Sequence, residues 1–291
     1  MNTATHERSE PSRIRYAYAI SILGFVLFLS VIGLGAAAGR NKLVAITVFA
    51  FVAMMLGVGT RFVGEFTTPK RQVWAYGLSS GAMLASATAL LAPKAIGQHP
   101  EIGGFAIAFG YLLGYAAHEL EYLFTHMEMP VNAATSELTI HAIAAGSIMG
   151  VVYGTLPSLT PLFGYGIVAH KFPAGFTGAE AVKRAGLPLS VMILPAAAVA
   201  IAAIPMSILT PDLSPIVKAS FYGISTGVFT HVAIDMLPEC SHVGSHSDAA
   251  TTGHGVVHCS PDVDALRQHA VLSTVVGAAV ILSMWYLFTM A

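Results

Sequence analysis

Leu138-Thr-Ile-His141-Ala-Ile-Ala-Ala-Gly146 and Gly166-Ile-Val-Ala-His170-Lys171-Phe-Pro173-Ala-Gly175 are apolar stretches that read as membrane helices, and each holds a histidine. An ionisable side chain at membrane depth is expensive to bury, so its default role is to line a substrate or ion path. Glycine and proline are expected to break up both helices, about 138–158 and 161–183. In lipid, the backbone groups they free are tolerated only where protein or a cavity satisfies them. Imidazole is the commonest metal ligand among side chains. His141 and His170 together point to a metal path through a membrane.

The rest of the chain has the composition that this reading needs. Of its 291 residues 55% are hydrophobic and 10% charged, with a mean hydropathy of +0.70. Soluble domains carry roughly 25% charged residues. The expected fold class is an all-α integral membrane protein. A net charge of −1 implies no nucleic-acid partner.

Apolar segments long enough to span fall at about 17–39, 43–64, 73–96, 102–124, 138–158, 161–183, 187–209, 215–238 and 269–290, which is nine spans. The first ends in Ala36-Ala-Ala38-Gly39, which imitates a signal-peptide cleavage site. Its apolar run exceeds the roughly 7–15 residues of a signal-peptide core, so it reads as a retained helix. An odd number of spans puts the termini on opposite sides. With the N-terminus inside, nine Lys and Arg residues lie on the inner side and four, Arg40, Lys42, Lys94 and Lys218, on the outer. The positive-inside rule therefore predicts a cytoplasmic N-terminus and an external C-terminus.

The longer polar connections, about 125–137 and 239–268, both face the cytoplasm in this topology. The second carries His242, His246, His254 and His258 between and beside Cys240 and Cys259. It lacks apolar periodicity, so it is expected to be flexible, with histidines that bind metal loosely. The two cysteines suit either a disulfide or a metal.

A pattern occurs twice. Gly77-Leu-Ser-Ser-Gly81 heads one helix that closes at Leu90-Leu91-Ala-Pro93, and Gly223-Ile-Ser-Thr-Gly227 heads another that closes at Leu237-Pro238. The first copy runs outward and the second inward, an inverted repeat of the kind that transporters use, with the site between the halves. Recurrent small residues also let membrane helices approach one another, which accounts for the glycines but not for the matching proline ends.

Other candidate groups surround this frame. Lys171 follows His170 and would either stand in for a second cation or pair with an acid on another helix. His231 and Asp235 are four apart, on one helix face, suited to a shared divalent ion or to a mutual hydrogen bond. His118-Glu119-Leu-Glu121, with His126 and Glu128 beyond, reads as a solvated helix end or as an ion-exit vestibule. No His-Glu-x-x-His, phosphate-binding Gly-Lys-Ser/Thr or Cys-x-x-Cys pattern is present, so no enzyme activity is expected.

At these residues the chain resembles the ZIP family of metal transporters, in particular its GufA-like branch. The resembling segments are His141 to Gly146, His170-Lys171 to Gly175, Thr226-Gly227 through Asp235 to Glu239, and the second-helix Gly77, Gly81 and Pro93. The resemblance implies an eight-helix core over about 43–291, preceded by a tail and one additional helix over 1–42. It implies two bundles in an elevator-like arrangement, with His141 and His170 on the moving one and Glu119 and Asp235 on the static one. The family carboxylates are alanine here, Ala145 and Ala174. Two neutral imidazoles would leave the double charge of the ion uncompensated.

The expected function is transport of a divalent transition metal, zinc before iron(II) or manganese(II), toward the cytoplasm across a prokaryotic plasma membrane. The ion is substrate, and no tightly bound cofactor is expected. His141, His170, His231, Asp235 and Glu119 are the candidate metal residues. Imidazole binds metal when neutral, so binding should weaken as pH falls through its ordinary pKa of about 6.5. The partners expected are the ion and the bilayer; homodimers occur among such proteins, though no interface is legible in this chain. Two rivals stand beside this reading. One is a haem b electron carrier using pairs among His118, His141, His170 and His231. The other is a degenerate member acting as a metal sensor or structural membrane protein.

Overall fold

The computed structural model describes residues 10–63, 68–125, 133–210, 213–242, 256–259 and 263–290. Within these, the backbone alone is described for 10–13, 63, 117–125, 133–134, 137, 239–242, 256–259, 263–265 and 288–290. Eleven α-helices follow in order: α1 (Glu10–Ala37), α2 (Asn41–Val63), α3 (Pro69–Ala85), α4 (Ala92–Gln98), α5 (Pro100–Thr125), α6 (Ala133–Thr155), α7 (Pro161–Val168), α8 (Lys171–Arg184), α9 (Ile193–Leu209), α10 (Pro215–Asp235) and α11 (Val263–Met290).

Among the described residues, six helical segments are long and apolar enough to cross a membrane: Ile14–Ala37, Asn41–Phe62, Pro69–Gln98, Leu138–Thr155, Leu189–Leu209 and Leu266–Leu287. Two further helices, α5 and α10, are 26 and 21 residues long. The expected single span at 161–183 is divided into α7 and α8, and neither half is long enough to cross alone. Large apolar side chains line the outside of the molecule, among them Leu23, Val26 and Leu29 on α1, Phe105 and Leu112 on α5, and Val271 and Leu287 on α11. Exposed apolar surface on that scale suits lipid rather than water. The chain is thus a helical protein whose long apolar helices are compatible with integral membrane residence.

Inside, Ile46, Met83, Phe163, Ile204, Tyr222 and Phe229 are almost fully buried, and they mark the core where α2, α3, α7, α9 and α10 meet. Four helix pairs pack most extensively: α3 with α11, α10 with α5, α2 with α8, and α6 with α9. The repeated glycine motifs explain two of them. A Cβ at Gly81 would collide with the carbonyl of Thr274 on α11, and one at Gly227 with the backbone of Ile107 and Tyr111 on α5. Such backbone-to-backbone approach is how membrane helices gain packing without a hydrophobic driving force.

Pro93 shapes the second half of the α3–α4 rod. It has no N–H to offer the preceding turn, and residues Ser86–Leu91 widen into a π turn that feeds α4. The connection expected to be flexible throughout differs in part. Residues β1 (Glu239–His242) and β2 (Val256–Cys259) pair as a two-stranded parallel ribbon, and α11 starts at Val263 rather than near 269. Val256 and Val257 are the local residues with β preference.

Candidate functional site

The site is built on the break between α7 and α8. Tyr153 on α6 fixes where α7 begins: its hydroxyl donates to Thr160 O at 2.8 Å and accepts from Gly164 N at 3.0 Å. Pro161 then occupies the first turn, where its missing N–H costs nothing. The helix stops at Val168 because Pro173 cannot donate to Ala169 O, four residues back. The carbonyl so freed accepts from Ser79 Oγ at 3.1 Å. Its neighbour Ser80 donates to Ala233 O at 2.5 Å near the end of α10, where the amide of Leu237 turns to Ile234 O instead. The two serines of the first glycine motif thus satisfy one carbonyl in the α7–α8 break and one on α10. In the second motif, Ser225 and Thr226 bond back to Phe221 O and Tyr222 O within α10.

His170 lies in this break, 2% exposed. Its Nδ1 is 2.5 Å from Ile167 O. A carbonyl only accepts, so Nδ1 carries the proton, and a neutral ring places its lone pair on Nε2. Holding one ring nitrogen on a backbone carbonyl is how metal-binding histidines are commonly oriented. His141, half-buried on α6, meets this ring edge to face, with centroids 5.6 Å apart and planes at 83°. The pair predicted from sequence is therefore in contact in the folded chain.

Ala145 and Ala174 are buried apolar positions, 7% and 1% exposed. Beside Ala174, Gly175 is pressed against the carbonyl of Met54 on α2, so α8 has no slack there. Lys171 is 1% exposed at the first position of α8. Burial and the positive end of the helix dipole both oppose a cation at that point.

Among the described residues, the other candidates, His231 and Asp235, form no metal-binding group with the pair. His231, buried on α10, faces α5, with its ring edge to face against Tyr111 at 5.3 Å and Tyr115 at 6.1 Å. Gly114 makes room for it, since a Cβ there would lie 2.9 Å from His231 Cβ. Asp235 is half-buried one turn further on. Among the described residues, no three His, Cys, Asp or Glu side chains converge as a metal-binding group. The backbone of His118, Glu119 and Glu121 belongs to α5, but their side chains lie outside what is described, as do His126 and Glu128 entirely. In the ribbon, Ser241 is in register with His258 and His242 with Cys259, again as backbone alone, while His246 and His254 lie outside the described residues.

Sequence reasoning missed two arrangements. Arg61 Nη1 on α2 is 2.5 Å from Glu180 Oε2 on α8, with Arg184 Nε 3.3 Å from the other oxygen. No local pattern links positions so far apart, although a lone Arg near the end of an apolar run was a signal. The serine brace was also missed, although the motif that holds it stood out. Two imidazoles edge to face can hold one soft or borderline ion between them, with water or a third group completing its shell. In comparisons with known proteins, no family model and no curated protein matches this chain.

Proposed function

We propose that this chain is a ZIP-like transporter that carries a divalent transition metal, zinc foremost, toward the cytoplasm through His141 and His170. The observation that carries the reading is the contact of these two rings at a proline-made break inside an apolar helix. A polar pair at such a break is where an ion would exchange hydration for ligands.

The helix pairing supports the inverted repeat and the nine-pass reading. If α2, α3–α4 and α5 correspond to α9, α10 and α11, and α6 to α7–α8, then each main contact has its counterpart. The α3–α11 contact answers to α10–α5, and α2–α8 to α9–α6. With the lesser contacts of α2 with α9 and of α3 with α10, the helices fall into two groups, α2, α6, α8 and α9 against α3, α5, α10 and α11, in keeping with the family plan. Lys171 lies beside His170, where the family holds a second ion, and would either take that ion's place or pair with an acid on another helix, while Ala145 and Ala174 leave the first ion uncompensated. Moderate affinity and ready release follow.

The test is uptake of zinc, iron(II) and manganese(II) into proteoliposomes. Wild type should carry zinc, and His141→Ala with His170→Ala should lower the rate at least about tenfold. No flux of any of the three in folded wild type would refute transport. The absence of a third ligand group among the described residues favours a second reading, a degenerate metal sensor. That reading predicts metal binding abolished by deleting residues 242–258, with no flux. The direct ring contact leaves no slot for a porphyrin between His141 and His170, which counts against haem at this pair.

A further inference from the structure

A second polar site lies away from the histidines, at the opposite ends of the helices from Arg61 and Glu180. A pocket of about 140 Å³ is lined by Gly39, Arg40, Lys42, Tyr153, Pro157 and Ser207, among others. These residues come from three stretches of the chain, 39–43, 153–157 and 207, and all three lie at matching ends of candidate spans. Ile14–Ala37 ends beside the pocket, Asn41–Phe62 begins there, and Leu138–Thr155 and Leu189–Leu209 both end there. Only three residues, 38–40, join α1 to α2, and Gly39 makes the reversal with φ +71°. So short a link between two membrane-length helices sets Arg40 and Lys42 at the level of the bilayer surface.

Among the described residues, the lining of the pocket carries two cations, Arg40 and Lys42, and no carboxylate. Lys42 Nζ donates to Pro157 O at 2.7 Å and Leu159 O at 2.8 Å, which anchors the α6–α7 turn and leaves the third of its N–H groups for another acceptor. Arg40 Nε is shielded from solvent and has no hydrogen-bond partner among the described residues. A buried guanidinium N–H without an acceptor costs free energy, and a planar, forked donor beside an ammonium matches a phosphate oxyanion. These two are half of the four basic residues that the sequence puts on the outer side, so they run against the charge bias that sets topology and call for another role.

We propose that Arg40 and Lys42 form a phosphate-binding site filled by the headgroup of an anionic phospholipid. Its acyl chains would lie along the exposed apolar residues on the same helix ends, such as Leu34 and Leu209. Basic pockets between membrane helices bind lipid headgroups through this chemistry. The site lies on the α1–α2 link, the start of α2, and the ends of α6 and α9, so an occupying lipid would clasp the turn that follows the additional N-terminal helix to α6, which carries His141, and to α9.

The test uses the full chain in nanodiscs of phosphatidylcholine, with and without phosphatidylglycerol, and separately with inorganic phosphate added. Lipid retention is read by native mass spectrometry and stability by the thermal midpoint. Wild type should retain phosphatidylglycerol in preference to phosphatidylcholine and unfold at a higher temperature with it. Arg40→Gln should weaken retention about tenfold, the loss of one charge-assisted contact, and Arg40→Lys should recover part of it. An equal shift from inorganic phosphate, lost in Arg40→Gln, would support the oxyanion chemistry and reassign its source to solution. Retention unchanged in Arg40→Gln, or no preference for the anionic lipid in wild type, would overturn the proposal. Arg40→Gln measured in phosphatidylcholine alone reports whether the variant folds, so a misfolded protein is not mistaken for a lost site.

Discussion

His170 sits where a helix cannot continue, and the residues around it are there to make that failure tolerable. Pro173 withholds an amide from Ala169 O, and Ser79 supplies a hydroxyl in its place. Ser79→Ala should therefore cost about 1 kcal/mol of stability, the net worth of a hydrogen bond to a part-buried carbonyl. Chemical unfolding in mixed micelles measures this, and an unchanged midpoint would show that the brace is dispensable. Ala145 carries a second residue-scale consequence. It lies one turn from His141, buried, where the charge of the proposed ion would have no counterpart. Ala145→Asp should tighten zinc binding at least about tenfold, because an opposite charge a few ångströms away in a poorly solvated site exceeds ~1.4 kcal/mol. Isothermal titration with the purified variant checks it. Affinity that is unchanged or weaker in a folded protein would mean that the pair does not hold the ion.

Pro173 and Ser79 belong to different helices, so their relation is a property of the elements. With Pro173→Ala, residue 173 gains an amide that can reach Ala169 O, and α7 and α8 can join. The cost of Ser79→Ala should then shrink, giving a coupling of about 1 kcal/mol in a double-mutant cycle. Simple additivity would show that the serine acts elsewhere. In the same Pro173→Ala background zinc flux should fall, since a continuous helix would carry the His170 ring away from its seat on Ile167 O. This is also where the sequence was most and least legible. Gly, Pro and His within one apolar run announced a broken helix and a polar centre, because those residue types act locally. The partner of the freed carbonyl, 90 residues away, was not readable. Nor was the orientation of His231. Its spacing from Asp235 suggested a ligand pair, while the space left by Gly114 and the rings of Tyr111 and Tyr115 draw it toward α5. Periodicity says which residues share a face, not which neighbour that face meets.

For the whole molecule, hydropathy located the long helices because each must satisfy its own backbone within the bilayer, whatever its neighbours do. It could not rank them. Leu266–Leu287 is 17% buried and Pro69–Gln98 is 67% buried, a difference set by tertiary position. Orientation rests on a separate argument, the distribution of Lys and Arg, and it admits a direct test. In the proposed nine-pass topology both native cysteines, Cys240 and Cys259, face the cytoplasm, and they are the only two in the chain. A membrane-impermeant maleimide should therefore leave wild type unlabelled in intact cells and label it after permeabilisation. Asn41, the first residue of α2, should lie outside. Asn41→Cys should then be labelled in intact cells, with no need to remove the native cysteines. Labelling of wild type from outside, with Asn41→Cys protected, would invert the topology. The direction proposed for the metal would invert with it, since the His-rich connection and the ion pair of Arg61 with Glu180 would then face the exterior.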